Sequence, residues 1–247
     1  MSPYRYRDFV ELLAKADTID AVYGISHQLC DECGFDHFIF GAQLSTSFVR
    51  PCIAIISGYP VEWRERYENA NYINADPTVA HCATRNVPIV WKDLSLCEDT
   101  TDKGAVVMSE ARDFGLSSGV SFPVHSTGSE WSMLSLGSSK PHDELERAID
   151  AAIPLAHAVA GHIHEAVRRV FDAEVLPVGN VELTNREKEC LLWAAEGKTT
   201  WETSQILGVS KRTIIFHLEN AARKLDVSNR THAVARAVSQ SIISPQL

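Results

Sequence analysis

Leu183–Leu225 reads LTNREKECLLWAAEGKTTWETSQILGVSKRTIIFHLENAARKL. Thr184-Asn-Arg-Glu187 has the spacing of a capping box, in which a Thr hydroxyl and a Glu carboxylate satisfy the free amides at a helix start. A helix from there passes through Cys190, Leu191, Ala194 and Ala195 and stops at Gly197. Thr199-Thr-Trp-Glu202 repeats the device, opening a short helix that runs to Leu207 and ends at Gly208. Ser210 caps a third helix through Leu225, and a fourth begins near Ser228 or Asn229. Two short helices joined by a Gly-containing turn make a helix-turn-helix, here at about 199–218. The segment 183–247 is thus an all-α unit of four helices.

The third helix has two faces. Ile214, Leu218, Ala221 and Leu225 recur at helical spacing as one buried stripe. Arg212, Phe216, Glu219 and Arg223 fall opposite, with Ile215 flanking them and Thr213 and Asn220 at the other edge. A merely solvated face is polar throughout. Phe216 beside Ile215 suits a partner surface such as base edges and thymine methyls, and Glu219 can accept from a cytosine amino group. Lys211, Arg212, Arg223 and Lys224 are the expected phosphate contacts.

Charge divides the chain at the same place. Residues 183–247 hold nine Lys/Arg and six Asp/Glu, whereas the rest holds 14 and 26, giving a net charge of −9 over 247 residues. An acidic front with a mildly basic tail is the division expected of a chain that meets a polyanion only through its tail, and an excess of three is modest support for it. Helical periodicity, strong over roughly Asp143–Phe171 with Pro154 as a kink or break, stops in Asp172–Glu182, where Pro177, Gly179 and Asn180 punctuate the chain. The expected domains are 1–172, a linker 173–182, and 183–247. No apolar run reaches the ~18–20 residues of a membrane span. The N-terminus MSPYRYRDFVELL lacks the apolar core of a signal peptide, so a cytoplasmic location is expected.

The acidic part has its own focus in Tyr59–Thr78, YPVEWRERYENANYINADPT. Tyr59, Trp63, Tyr67 and Tyr72 surround one carboxylate, Asp76. Tyr and Trp combine an apolar body with a polar tip, so this block suits a greasy pocket with a few aimed hydrogen bonds. Strand-like segments Phe35–Leu44 and Arg50–Ser57 flank it.

With both blocks in view, a resemblance emerges. Leu183–Val238 resembles the DNA-binding domain of LuxR-type regulators through Leu183-Thr184, Arg186-Glu187, Gly197-Lys198-Thr199, Thr213 with His217, Lys224-Leu225 and Asn229-Arg230. YPVEWRERY followed by DPTVAHC resembles the signal-binding domain of acyl-homoserine lactone receptors, the LasR-like ones especially. That match extends over about Phe35 to Leu136, with Pro88-Ile-Val-Trp91, Glu110-Ala111, Gly119 and Leu134-Ser135-Leu136.

The resemblance implies an α+β chain: an α/β/α sandwich on a five-stranded antiparallel sheet, followed by the helical DNA-binding domain. It implies a quorum-sensing regulator that binds an N-acyl-homoserine lactone and, as a homodimer, a palindromic site on double-stranded DNA, with RNA polymerase as a partner for an activator. Trp63 would donate to the ring carbonyl, Asp76 accept the amide N–H, and Tyr59 donate to the acyl carbonyl with Ser135 assisting. Thr78 would lie near the same amide, and Tyr67 and Trp91 would be aromatic walls. Ile39, Ala42, Ile55, Val79 and Met133 are the expected tail lining, and Gln43 could meet a chain substituent. The sequence departs from the family pattern where Ile215 and Glu219 occupy positions at which basic residues read bases in some members, and where Thr203 stands at a position that is commonly apolar.

Rival chemistries find less support. Cys30 and Cys33 form a lone CxxC with no second ligand pair, and they read as small residues on one helix face. His162 and His164, two apart, point to different faces of a helix, and His157 completes no metal motif. Neither Gly128-Ser129 nor Gly137-Ser138 forms a nucleophile elbow. A lactone-cleaving enzyme, or a helix-turn-helix regulator sensing another small molecule, is the alternative; no catalytic residue, metal or cofactor is expected.

Overall fold

The computed structural model describes residues 6–44, 52–96, 101–126, 130–175 and 182–244. One compact unit comprises Met1–His125 and Glu130–Val175, and a second includes Leu176–Leu247. In the first, α1 (Tyr6–Lys15) and α2 (Ile19–Glu32) lead to β1 (His37–Leu44) and β2 (Cys52–Ser57). Then come α3 (Val61–Asn69), a 3-10 turn at Tyr72–Asn74, α4 (Pro77–Thr84), β3 (Ile89–Val90), a 3-10 segment Trp91–Leu96 and α5 (Asp102–Asp113). β4 (Ser118–His125), β5 (Trp131–Ser138) and α6 (His142–Val175) complete it.

These strands form a five-stranded antiparallel sheet in the order β2-β1-β5-β4-β3. Alternation sorts its side chains. Phe38, Phe40 and Leu44 of β1, Phe122 of β4, and Leu134 and Leu136 of β5 pack against Phe9, Leu13, Leu29 and the inner stripe of α6. That stripe, Ile149, Ala152, Ala156, Val159, Ala160, Ile163 and Val167, keeps helical spacing, and its alanines let the helix lie close to the sheet. Across the sheet, α3 and α5 enclose a smaller cluster of Trp63, Val107, Ala111 and Leu116, and α4 packs on β4 and β5. The unit is an α/β/α sandwich.

α6 runs unbroken through Pro154. Pro154 cannot donate to the Asp150 carbonyl, but both residues are exposed, so the orphaned acceptor is not shut away from solvent. The helix reaches Val175, inside the stretch read as linker; residues 176–181, including Pro177, Gly179 and Asn180, lie outside the described residues. So do Arg50, Cys97, Gly128 and Ser129, and β2 is described from Cys52.

Burial pushes the Cys30 and Cys33 thiols up to about 12 and 11, which suits packed, unreactive groups at the end of α2. His164 is buried with Nδ1 3.0 Å from Ser132 Oγ, and desolvation holds its pKa low. His162 instead meets Tyr6 at 2.8 Å. No group of three potential metal ligands occurs among the described residues, and no described helix is long and apolar enough to cross a membrane.

The second unit contains α7 (Asn185–Ala195), α8 (Thr200–Leu207), α9 (Lys211–Lys224) and α10 (Arg230–Ser239). Both capping boxes close as read, at Thr184/Glu187 and Thr199/Glu202. Gly208, at φ 65°, takes the left-handed turn between α8 and α9. Ser210 caps α9 and Asn229 caps α10. Leu191, Ile214, Ala221, Leu225, Ala233 and Ala237 make the core. Thr203 is buried there, yet its hydroxyl donates to the Thr199 carbonyl at 2.9 Å, so the polar substitution leaves no orphaned group.

Candidate functional site

The sheet face turned away from α6 borders a cavity of about 580 Å³. Its wall includes Tyr59, Trp63, Tyr67, Asp76, Thr78, Trp91 and Ser135, and also Ile39, Ala42, Ile55, Val79 and Met133. Twelve residues separated by up to 96 positions therefore share one lining. Ala42 belongs to that lining although its side chain goes with Phe38, Phe40 and Leu44 into the main core, where it is 3% exposed; Gly41 beside it stands on the cavity face of β1 between Met133 and Ile55. A Cβ built at Gly41 meets no atom within 4 Å.

Local structure fixes the polar end. Asp76 is the N-cap of α4, with Pro77 in the first turn where a missing N–H costs nothing. Its Oδ1 accepts from the Thr78 amide (2.8 Å) and hydroxyl (2.6 Å), and its Oδ2 accepts from the Tyr67 hydroxyl (2.9 Å). A carboxylate has about four lone-pair sites, so one remains for a donor in the cavity. Thr78 therefore positions Asp76, and Tyr67 is a hydrogen-bonding partner as well as a wall.

A second chain holds the opposite side. The Trp91 indole N–H donates to Ser121 Oγ (3.0 Å), whose hydroxyl lies 2.8 Å from Ser135 Oγ, and Ser135 shares the cavity wall with Tyr59. Ser121 and Ser135 are direct partners in the β4–β5 register. Gly119 makes room for Trp91: a Cβ there would stand 2.7 Å from the indole ring. Burial, then the negative charge of Asp76, pushes the Tyr59 and Tyr67 phenols far above the ordinary range, so both remain donors. Burial followed by the same charge moves the Cys82 thiol up to about 12.

The wall behind Trp63 is aromatic and clasped. Trp63 meets Tyr67, Tyr72 and Phe114 at ring-centroid distances of 5.7, 6.1 and 5.5 Å. Outside it, Arg66 of α3 donates through Nε (2.7 Å) and a terminal nitrogen (2.8 Å) to Glu110 of α5, and also to the Tyr72 hydroxyl (3.2 Å). Hydrogen bonds from Arg66 and Tyr72 lower Glu110 to about 2.

Sequence reasoning missed Ser121, Gly41, Trp131, Arg64 and Met108; all but Ser121 line the cavity. Trp131 shares the parity of Met133 and Ser135, a signal that was available. Ser121 needed the strand register. Ile53 and Ile55 are 51% and 53% exposed, and so border both the cavity and the surface.

In the second unit, α9 buries Ile214, Leu218 and Ala221 and exposes Lys211, Arg212, Ile215, Phe216, Glu219 and Arg223, with Thr213 half-buried. Arg223 donates to Asn220 Oδ1 at 2.6 Å. Lys224 is committed elsewhere: its Nζ lies 2.8 Å from Glu187 Oε2 and 3.1 Å from the Glu182 carbonyl. Burial alone would raise Glu187, but the Lys224 bond and the capping bonds from Thr184 override it and hold the carboxyl below its usual range.

An apolar cavity with aimed polar groups in one unit and a helix-turn-helix in the other are the two halves of a ligand-responsive regulator. Residues 18–167 match the family described as the autoinducer binding domain, and residues 181–237 match the bacterial regulatory proteins of the luxR family. The chain belongs to the LuxR family. Among LuxR-type relatives, it is 32% identical to the transcriptional activator VanR of Vibrio anguillarum over 92% of this chain and 93% of VanR. It is 34% identical to the quorum sensing-dependent regulator RpaR of Rhodopseudomonas palustris over 96% of this chain and 95% of RpaR. The solved structure of Escherichia coli SdiA has the same fold, with TM-score 0.72 at 23% identity over 97% of this chain and 98% of SdiA. This LuxR-family chain is thus a DNA-binding, ligand-dependent transcriptional regulator of quorum sensing.

Proposed function

We propose that the ligand is an N-acyl-homoserine lactone seated with its ring against Trp63 and Tyr67 and its tail over Gly41 and Met133. The observation that carries this reading is the arrangement of polar groups at one end of an apolar cavity. Asp76 has one acceptor site left for an amide N–H. The Tyr59 hydroxyl, kept protonated by burial, is a donor for the acyl carbonyl, with Ser135 in the same wall to assist. Trp63 supplies an indole N–H for the ring carbonyl. The ring carbonyl, amide N–H and acyl carbonyl then have one partner each, so the ligand's strong donor and acceptors can be buried without going unpaired.

The liganded chain acts as a homodimer on a palindromic operator, its two α9 helices entering successive major grooves about 34 Å apart. Lys211, Arg212 and Arg223 contact phosphates, while Thr213, Ile215, Phe216 and Glu219 face the bases. Lys224 acts chiefly through Glu187. Relatives named as activators support RNA polymerase as a partner.

Thermal denaturation of the full chain with a lactone panel tests the ligand, since binding only the folded state stabilises by RT ln(1 + [L]/Kd). A structure of SdiA holds octanoyl-rac-glycerol, so octanoyl glycerol, which lacks the amide, belongs in the panel. A larger shift with lactones is expected. Stabilisation by the glycerol ester alone, or by nothing, would overturn the lactone assignment. Ring opening of the lactone, followed by mass spectrometry, would instead identify an enzyme.

A further inference from the structure

The outward face of α9 has an unusual composition for a helix that meets a polyanion. Positive charge sits at its two ends, with Lys211 and Arg212 in the first turn and Arg223 in the last. Between them the exposed residues are Ile215 at 46%, Phe216 at 59%, and Glu219. None of these three belongs to the core of the unit, which is built on Ile214, Leu218 and Ala221. Ile215 and Glu219 are four residues apart on one side of the helix, about 6 Å along its axis.

Major-groove chemistry sorts what such a face can read. Thymine is the base that offers a methyl group. Guanine offers N7 and O6, both acceptors, which repel a carboxylate; adenine pairs its amino donor with an N7 acceptor. Cytosine offers the N4 amino group alone, which a carboxylate accepts without an opposing lone pair. Bases rise ~3.4 Å per step, so residues about 6 Å apart address positions about two steps apart. A carboxylate brought into the groove also meets the repulsion of the flanking phosphates, which penalises every register that gives it no donor.

Resting on the reading of α9 as the base-reading helix, we propose that each operator half-site carries a thymine and a cytosine within about two base pairs. The thymine methyl packs on Ile215 with Phe216 beside it, and the cytosine amino group donates to Glu219. The apolar–acidic pair thus makes this chain discriminate by exclusion.

Selection of duplexes with a randomised core tests this, using full-length wild type and the Glu219→Gln variant, each with and without the lactone panel. Wild type is expected to enrich the thymine–cytosine pair. Glu219→Gln is expected to move the cytosine position to adenine, since Gln pairs bidentately with adenine, by about tenfold or more. Replacing the selected thymine by deoxyuridine removes only the methyl group; it should weaken wild type several-fold and leave Ile215→Ala unchanged. Both substitutions are on exposed positions, and equal melting temperatures would verify folding. A selected site without the pair, an unchanged profile for Glu219→Gln, or indifference of wild type to deoxyuridine overturns the proposal. Enrichment of no duplex overturns the assignment of α9 itself, a failure distinguishable because no operator is obtained.

Discussion

The two faces of one sheet are built from alternate residues of the same strands, yet one is filled and the other is hollow. Toward α6, Phe38, Phe40, Leu134 and Leu136 are at most 1% exposed and interdigitate with alanine-spaced helix ridges. Away from α6, the intervening positions Ile39, Gly41, Met133 and Ser135 border about 580 Å³ of space. Stability and recognition are thereby separated at the finest interval a strand permits, a single residue. The filled face holds the sheet flat against its helices, and the hollow face uses that rigid floor to aim a few polar groups.

Truncation on the filled face should have the largest effect. Phe40→Ala removes a fully buried ring from the main core and is expected to cost roughly 3–5 kcal/mol of unfolding free energy without ligand. Urea denaturation measures it; a cost below about 1 kcal/mol would mean that the two faces are not distinct in packing.

Asp76→Asn sharpens the contrast from the other side. It keeps shape and a capping oxygen, but it exchanges one carboxylate oxygen for an amide donor that faces Tyr67 or the ligand. A charge-assisted hydrogen bond is worth about 1.5–3 kcal/mol, so lactone affinity should fall ten- to a hundredfold while unliganded stability falls less than in Phe40→Ala. Isothermal titration and melting curves separate the two quantities.

The Arg66–Glu110 clasp gives the hollow side a pH dependence of its own. Glu110 is lowered to about 2 in the folded chain by hydrogen bonds from Arg66 and Tyr72. A depressed carboxyl stabilises fully above its unfolded pKa, ~4.3, and loses that contribution as the pH falls toward its folded value. Between pH 5 and 2, the melting temperature of wild type should therefore fall more steeply than that of Glu110→Gln, the difference remaining modest because the pair is exposed. Parallel curves would show that the clasp does not brace Trp63.

Both fold halves were legible in the sequence for different reasons. α7–α9 announce themselves by local chemistry: caps at Thr184, Thr199 and Ser210, a left-handed Gly208, and a stripe of spacing three and four. The polar end of the cavity was legible because Trp63, Tyr59 and Asp76 carry unusual functional groups within a short block. What escaped depended on partners far along the chain. β1 alternates the wholly apolar set Phe38, Phe40, Ala42 and Leu44 with the mixed set His37, Ile39, Gly41 and Gln43, so Gly41 is told from Ala42 only by following that parity along the strand. Ser121 matters only because the register sets it opposite Ser135. Lys224 reads as one more surface cation until α7 brings the buried Glu187 to it.

Gly41→Val should have the smallest effect on the unliganded chain and is the strictest test of the hollow face. A Cβ at Gly41 enters open space, so nothing in the protein opposes it, and a β-branched residue suits a strand better than glycine does. The unfolding free energy should change by about 0.5 kcal/mol or less. The added methyls occupy the floor between Met133 and Ile55, where the acyl tail is proposed to lie. Overpacking there should cost long-chain lactones ~1–3 kcal/mol of affinity and leave short-chain ones less affected. Unchanged binding of the whole chain-length series would place the tail elsewhere, whereas a large loss of unliganded stability would mean that this face is packed after all.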